Sequence, residues 1–149
     1  MTSPFAARPS DLGGGAFFKP ADHMNDLALL IEPKSIARDV PSTYQGATRQ
    51  RDEVLSDITV FANQGNLDSG TPSEILKAVK VTHGMLTSTL EKILGEATVA
   101  VIRKIPTQAG AGFAFRDPSP EDEAKVASYY TAREAAITDA VANAPSFDN

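Results

Sequence analysis

The sequence predicts a mainly β protein with helices: five strands, one helix between the third and fourth, and a long helix at the C-terminal end. Three observations carry this. Apolar segments with strand character, alternating or nearly continuous, recur at 27–40, 54–61, 75–82, 97–105 and 112–116. The connections between most of them are short and polar or glycine-bearing, which favours antiparallel pairing. Helical spacing of apolar residues takes over in two places, at 85–94 and beyond Ser119.

Leu27 to Ile31 (LALLI) is a short, nearly continuous apolar run. Pro33 lacks a backbone donor and is tolerated in strands mainly at edges or bulges. Alternation resumes at Ile36 and Val40, so the first strand is long and bent near Pro33. Pro41 to Arg51 (PSTYQGATRQR) is polar and basic, a loop or hairpin tip. In VLSDITVF, Val54, Ser56, Ile58 and Val60 share one face, and Leu55, Asp57, Thr59 and Phe61 the other. Asn63 to Ser73 reads as a polar turn region. The third strand places Ile75, Lys77, Val79 and Val81 on one face and Leu76, Ala78, Lys80 and Thr82 on the other, so Lys77 and Lys80 are expected on opposite sides.

Leu86, Leu90, Ile93 and Leu94 mark one helix face, and Gly95 suits the left-handed residue that ends such a helix. Ala97 to Ile105 forms the fourth strand. Pro106 to Gly112 is a small-residue loop, and Gly112 to Arg116 a short fifth strand. Ser119 is placed to cap the last helix, Pro120 fits its first turn, and Glu121, Asp122 and Glu123 complement its positive end. Val126, Tyr130, Arg133, Ile137 and Val141 recur at helical spacing, and Pro145 is the expected stop.

The 149 residues suffice for one domain and an appendage. The expected division is a flexible Gly/Pro-rich arm at 1–20, a barrel at 21–117, and an acidic helix with a short tail at 118–149. No stretch approaches a membrane span, and the N-terminus lacks the pattern of a secretory signal. Cysteine is absent, which excludes disulfides, a thiol nucleophile and thiolate metal sites and fits a reducing cytoplasm. The net charge of −5 is uneven: from Asp117 onward there are seven acids and two bases, whereas residues 1–116 carry twelve of each. A near-neutral body thus bears an acidic C-terminal segment, either a solvated helix surface or a segment that recruits a basic partner.

This order of elements resembles the oligonucleotide/oligosaccharide-binding (OB) fold, a five-stranded, partly open barrel with a helix at one end, over about residues 25–116. The resemblance is topological, and a small α+β sandwich is its competitor. It implies a ligand face on the second and third strands, flanked by the loops joining strands 1–2 and 4–5. The first loop brings Tyr44, Arg49 and Arg51; the second is edged by Arg103, Lys104, Phe113, Phe115 and Arg116; Lys77 and Lys80 lie on the third strand. Such a mixture suits single strands, since cations follow phosphates and aromatic rings stack on bases. Phe113 and Phe115 share a face, so they either fill the core or stack on a ligand. Phe17-Phe18, before Lys19-Pro20, either tethers the arm or touches a ligand.

Catalytic patterns are weak. Gly13-Gly14-Gly15 is not followed by the Lys-Ser or Lys-Thr of a phosphate loop, and no Gly-x-Ser-x-Gly element occurs. His23 and His83 are sixty residues apart, and Asp22, His23 and Asp26 make a poor metal set. Asp52-Glu53 and Glu121-Asp122-Glu123 are explained by a loop and a helix start. The expectation is a binding protein without catalytic residues, metal or cofactor.

The strand order, the loop charges and the acidic C-terminal segment together resemble the small single-stranded-DNA-binding proteins of bacteriophages, and the Ala- and Asp-rich style resembles products of phages infecting actinobacteria. The resemblance implies sequence-independent coating of single-stranded DNA in replication or recombination, in the host cytoplasm, with contacts to replication proteins through the C-terminal segment. Phe147 stands near the terminus as in that class, but no run of acids precedes it, and a long helix occupies the place of a disordered tail. That helix packs on the barrel or forms a homo-oligomer through Val126, Tyr130, Ile137 and Val141. The alternative is a structural, assembly or adaptor protein, such as a virion component, using the helix and the arm.

Overall fold

A computed structural model describes residues 16–44, 46–107 and 110–142. The fold is mainly β: one curled five-stranded antiparallel sheet, a half-barrel, with a C-terminal helix on its outer side. The strands are β1 (Ala28–Tyr44), β2 (Ala47–Phe61), β3 (Glu74–Val81), β4 (Thr98–Thr107) and β5 (Gly110–Arg116). Their order across the sheet is β3-β2-β1-β4-β5. The helices are α1 (Gln64–Ser69), α2 (Gly84–Leu90), continued by a 3-10 turn at Glu91–Ile93, and α3 (Pro120–Ala142).

The continuous apolar run that opens β1 has a physical reason. The strand lies mid-sheet, and both of its faces are covered. Leu29 and Ile31 point into the concave core with Val54, Ile58, Val81, Ile102, and Leu86 and Leu90 of α2. Ala28 and Leu30 point the other way, into a second cluster with Phe61, Leu67 of α1 and Val126 of α3. A strand buried on both faces loses the alternation of a half-exposed one. α2 therefore plugs the concave side, while α1 and α3 cover one end of the convex side.

β1 bends where expected, with register shifts at Pro33/Ser35 and again at Ala37/Val40. Beyond the second shift β1 and β2 continue as a two-stranded ribbon, past the last β2–β3 pair at Val54↔Val81, to Tyr44↔Ala47. Gly46 helps turn this hairpin at φ 81°, a state open to glycine without a Cβ clash. Most of Pro41–Arg51, expected as a loop or hairpin tip, is thus paired strand. The same holds at β4–β5: Pro106 and Thr107 pair with Ala111 and Gly110, which replaces the expected Pro106–Gly112 loop by a tight hairpin. Small residues do not preclude pairing when the partner strand is adjacent in sequence.

Two further corrections concern polar stretches. Asn63–Ser73 contains α1, because Asn63 and Asn66 form a reciprocal capping box and Gly70 closes the helix at φ 67°. Alternation in β3 is interrupted at Lys77–Ala78 by a bulge, with Ala78 at φ 53° and its N–H donated to the Asp57 carboxylate at 2.9 Å. The bulge brings Lys77 and Lys80 onto one face: Lys77 lies 3.7 Å from Asp57, and Lys80 is the cross-strand partner of Leu55. The strict period of two put them on opposite sides.

α2 stops at Leu90 and its 3-10 continuation at Ile93, short of the expected Leu94; Gly95 has the expected positive φ, 84°, but donates its N–H to the Pro33 carbonyl rather than capping the helix. α3 is capped by Ser119, whose hydroxyl accepts from the Asp122 N–H. Val126, Tyr129 and Tyr130 pack on the sheet, and Arg133 grips Glu32 of β1 through two bonds of 2.9 and 2.8 Å. Ile137 and Val141 continue the same stripe but are exposed, so the helix overhangs its support. Pro145 and the tail lie outside the described residues. No helix among the described residues is long and apolar enough to cross a membrane.

Candidate functional site

Residues 16–18, assigned by the sequence to the arm, run parallel to β3 along its outer edge. Phe18 donates its N–H to the Lys80 carbonyl at 2.8 Å, and Lys80 returns a bond to Ala16 at 2.9 Å. Phe18 is 2% exposed, stacks on His23 at 5.1 Å and belongs to the concave core. Phe17, its neighbour of opposite parity, is 48% exposed. The pair therefore divides the two roles open to it: Phe18 tethers, and Phe17 faces solvent.

Two cations attend Phe17. The Arg51 guanidinium carbon lies 5.2 Å from the ring centroid and the Lys80 ammonium 5.3 Å. Arg51 is paired with Glu53 through a terminal guanidinium nitrogen at 3.8 Å, and its Nε is buried without a partner. Beside this cluster a groove of about 480 Å³ opens between the arm segment and β5. Phe17, Phe18, Lys19, Asp22, Arg51, His83 and Phe113 are among its lining residues. His83 precedes α2 and meets Phe113 edge-on at 5.4 Å. Burial, and secondarily the Arg51 charge, hold the His83 ring below the usual histidine pKa. Lys104 is the direct cross-strand partner of Phe113 and is exposed.

The expected site residues separate into groups. Arg51, Lys80, Lys104 and Phe113 gather at or beside the groove. Phe115 pairs with the fully buried Ile102 and packs on the concave core, so it acts mainly as filling. Lys77 is on the right face but is occupied with Asp57. Arg103 and Arg116 lie on the opposite face of the β4–β5 ribbon from Lys104 and Phe113, by alternation along the two strands. Arg103 bonds the carbonyls of Met24 and Ile102, and Arg116 that of Phe115. Tyr44 and Arg49 are placed only by backbone register near the β1–β2 tip; their side chains lie outside the described residues.

His83 and Lys19 are additions that the sequence reading lacked. His83 becomes a groove wall only through the meeting of β3, α2 and β5. A second pocket, of about 570 Å³, lies between Met24–Leu27, β4 and the start of α3. Asp26, Asp117 and Asp122 line it, and its one basic residue, Arg103, is engaged with carbonyls, so it suits an anion poorly. His23 is paired with Asp26 at 2.7 Å. Among the described residues no group of three His, Asp or Glu side chains stands where it could hold a metal ion.

The groove therefore offers an exposed ring, a second ring at its far wall and several cations, one of them with an unpartnered Nε. That combination can hold a flat group and a phosphate together. Comparison with protein-family models, curated proteins and solved structures finds no match to this chain.

Proposed function

We propose that this chain binds single-stranded DNA, without catalysis and without sequence preference, by stacking and phosphate contacts, in replication or recombination of the kind carried out by phages. The observation that carries the reading is the exposed Phe17 ring flanked by Arg51 and Lys80 at the mouth of the groove. Single-strand binders need such pairs of ring and cation, since every base has a face to stack and every nucleotide a phosphate to neutralise.

The architecture supports an OB-type reading of the half-barrel. The order β3-β2-β1-β4-β5, with α2 between β3 and β4 plugging the concave core, is that of a five-stranded barrel whose β3–β5 seam is left open. The arm segment lies on β3 at this seam, parallel to it. The ligand-flanking loops of such a barrel correspond here to the two ribbons, β1–β2 and β4–β5.

Fluorescence anisotropy with a labelled oligothymidine at low salt tests the proposal. Binding at micromolar or tighter concentrations supports it, and flat anisotropy overturns it. A second reading, an assembly or adaptor protein, is favoured by the exposed Ile137 and Val141 on the overhang of α3. It expects self-association with no oligonucleotide affinity.

A further inference from the structure

His83 is the one histidine among the lining residues of the groove. It shares the groove with Arg51 of β2 and with Lys19 and Asp22 of the segment that precedes β1, and it meets Phe113 of β5, whose cross-strand partner is Lys104. At the start of α2, Gly84 and Met85 add no charge. The charged residues lining the groove beside His83 are thus Lys19, Asp22 and Arg51, with Glu53 behind Arg51 at 3.8 Å and Lys104 next to Phe113; Arg51 keeps a buried Nε with no partner. Partial burial, and secondarily the Arg51 charge, disfavour the imidazolium form of His83. An anion on Arg51 reverses that field.

We propose that the groove is a phosphodiester site in which His83 is the second contact after Arg51, so that binding single-stranded DNA takes up a proton. This rests on the single-strand reading of the groove. When a backbone phosphate neutralises Arg51, the repulsion that disfavours imidazolium is removed. A protonated His83 then supplies an additional N–H donor to the same phosphate oxygens. The phosphodiester keeps one negative charge throughout the range in which histidine titrates, so the linked proton belongs to the protein. By linkage, affinity rises as pH falls, by at most about tenfold per pH unit for one proton.

The experiment is a titration of a ~20-nucleotide oligothymidine, carrying a dye insensitive to pH, at constant ionic strength from about pH 8.5 to about pH 6. Calorimetry of the unmodified protein in buffers of different ionisation enthalpy accompanies it and counts protons without any variant. The expected result is an affinity that rises several-fold across the range, an uptake of up to about one proton near pH 6.5, and a flat profile for His83→Gln. The chain has two histidines, so His23→Gln, which alters the one outside this groove, is expected to keep the wild-type slope. Binding that is flat with pH and takes up no proton overturns this proposal and leaves the single-strand reading standing. A His83→Gln profile as steep as wild type overturns the assignment to His83. No binding at any pH overturns the functional reading, and this proposal with it.

Discussion

Ala78 sits at φ 53° inside β3, a backbone state that costs an L-residue about 1–2 kcal/mol and that the bulge and its bond to Asp57 enforce. Ala78→Gly removes that strain and loosens the unfolded chain in return. The net gain is about 0.5–1 kcal/mol, read as a higher urea midpoint at unchanged m-value; a lower midpoint contradicts the strain. Asp39 also has positive φ, at 54°, but aspartate tolerates this state better, and its N–H is held by Asp52 at 3.2 Å. Ser56 is fully buried with its hydroxyl unpartnered, so Ser56→Ala is expected to raise stability by about 1 kcal/mol. His83 contributes with a definite sign. Its folded-state pKa lies below the unfolded value of 6.5, so the folded form holds fewer protons. That contribution is complete above the unfolded value and is lost as pH falls through the window beneath it. Denaturation of wild type and His83→Gln between about pH 7.5 and about pH 5.5 is expected to show the wild type losing more. Equal losses remove the depressed His83 from the account.

At the scale of elements, the arm segment and α3 each combine a buried side-chain anchor with further contacts to the sheet. Phe18 fixes the arm on β3, and Phe18→Ala is expected to cost about 3–4 kcal/mol, since a buried aromatic leaves a cavity. Phe17→Ala is expected to change stability by less than about 0.5 kcal/mol but to weaken oligonucleotide binding by about 1 kcal/mol or more. A stability loss of the same size in both variants contradicts the division of roles. α3 is anchored by the Arg133–Glu32 pair, with side chains 23% and 12% exposed and the Arg133 ring contacts to Tyr129 and Tyr130 behind it. Removing Arg133 leaves the buried Glu32 unpaired, at a cost of about 2 kcal/mol after allowance for its remaining exposure. Faster amide exchange along α3 in Arg133→Ala is the corresponding readout. The sequence made several of these elements legible because their signals are local: Pro33 at the bend, the alternation of 54–61, and Gly95 after Leu94. α1 was hidden because its cap is an Asn–Asn pair rather than a Ser/Thr–Glu pair. The β3 bulge was hidden because a non-glycine residue occupies the left-handed position.

For the whole molecule, what was legible is the succession of strands around a single plugging helix, since it follows from periodicity alone. The convex cluster beneath α3 was not, because it depends on which end of the sheet the last helix returns to. The binding groove was half legible. Arg51, Lys80, Lys104 and Phe113 could be named from their places near the hairpins, but alternation along β4–β5 turns Arg103 and Arg116 away, and long-range pairing brings Phe17 and His83 in. Electrostatics follow the same layout: the acids concentrated beyond Asp117 lie largely on α3, while the groove is lined by Lys19 and Arg51, with Lys80 of β3 beside it at the Phe17 ring. The central claim is that this groove grips single-stranded DNA through Arg51, Lys80 and their neighbours. The most direct test is an oligothymidine titration across a salt series with wild type and an Arg51→Ala/Lys80→Ala double variant. Micromolar or tighter binding is expected at low salt, with log affinity falling against log salt at a slope of about −2 to −3, and at least tenfold weaker binding with a shallower slope in the variant. No binding by the wild type at low salt, or equal affinity and slope in the two proteins, contradicts it.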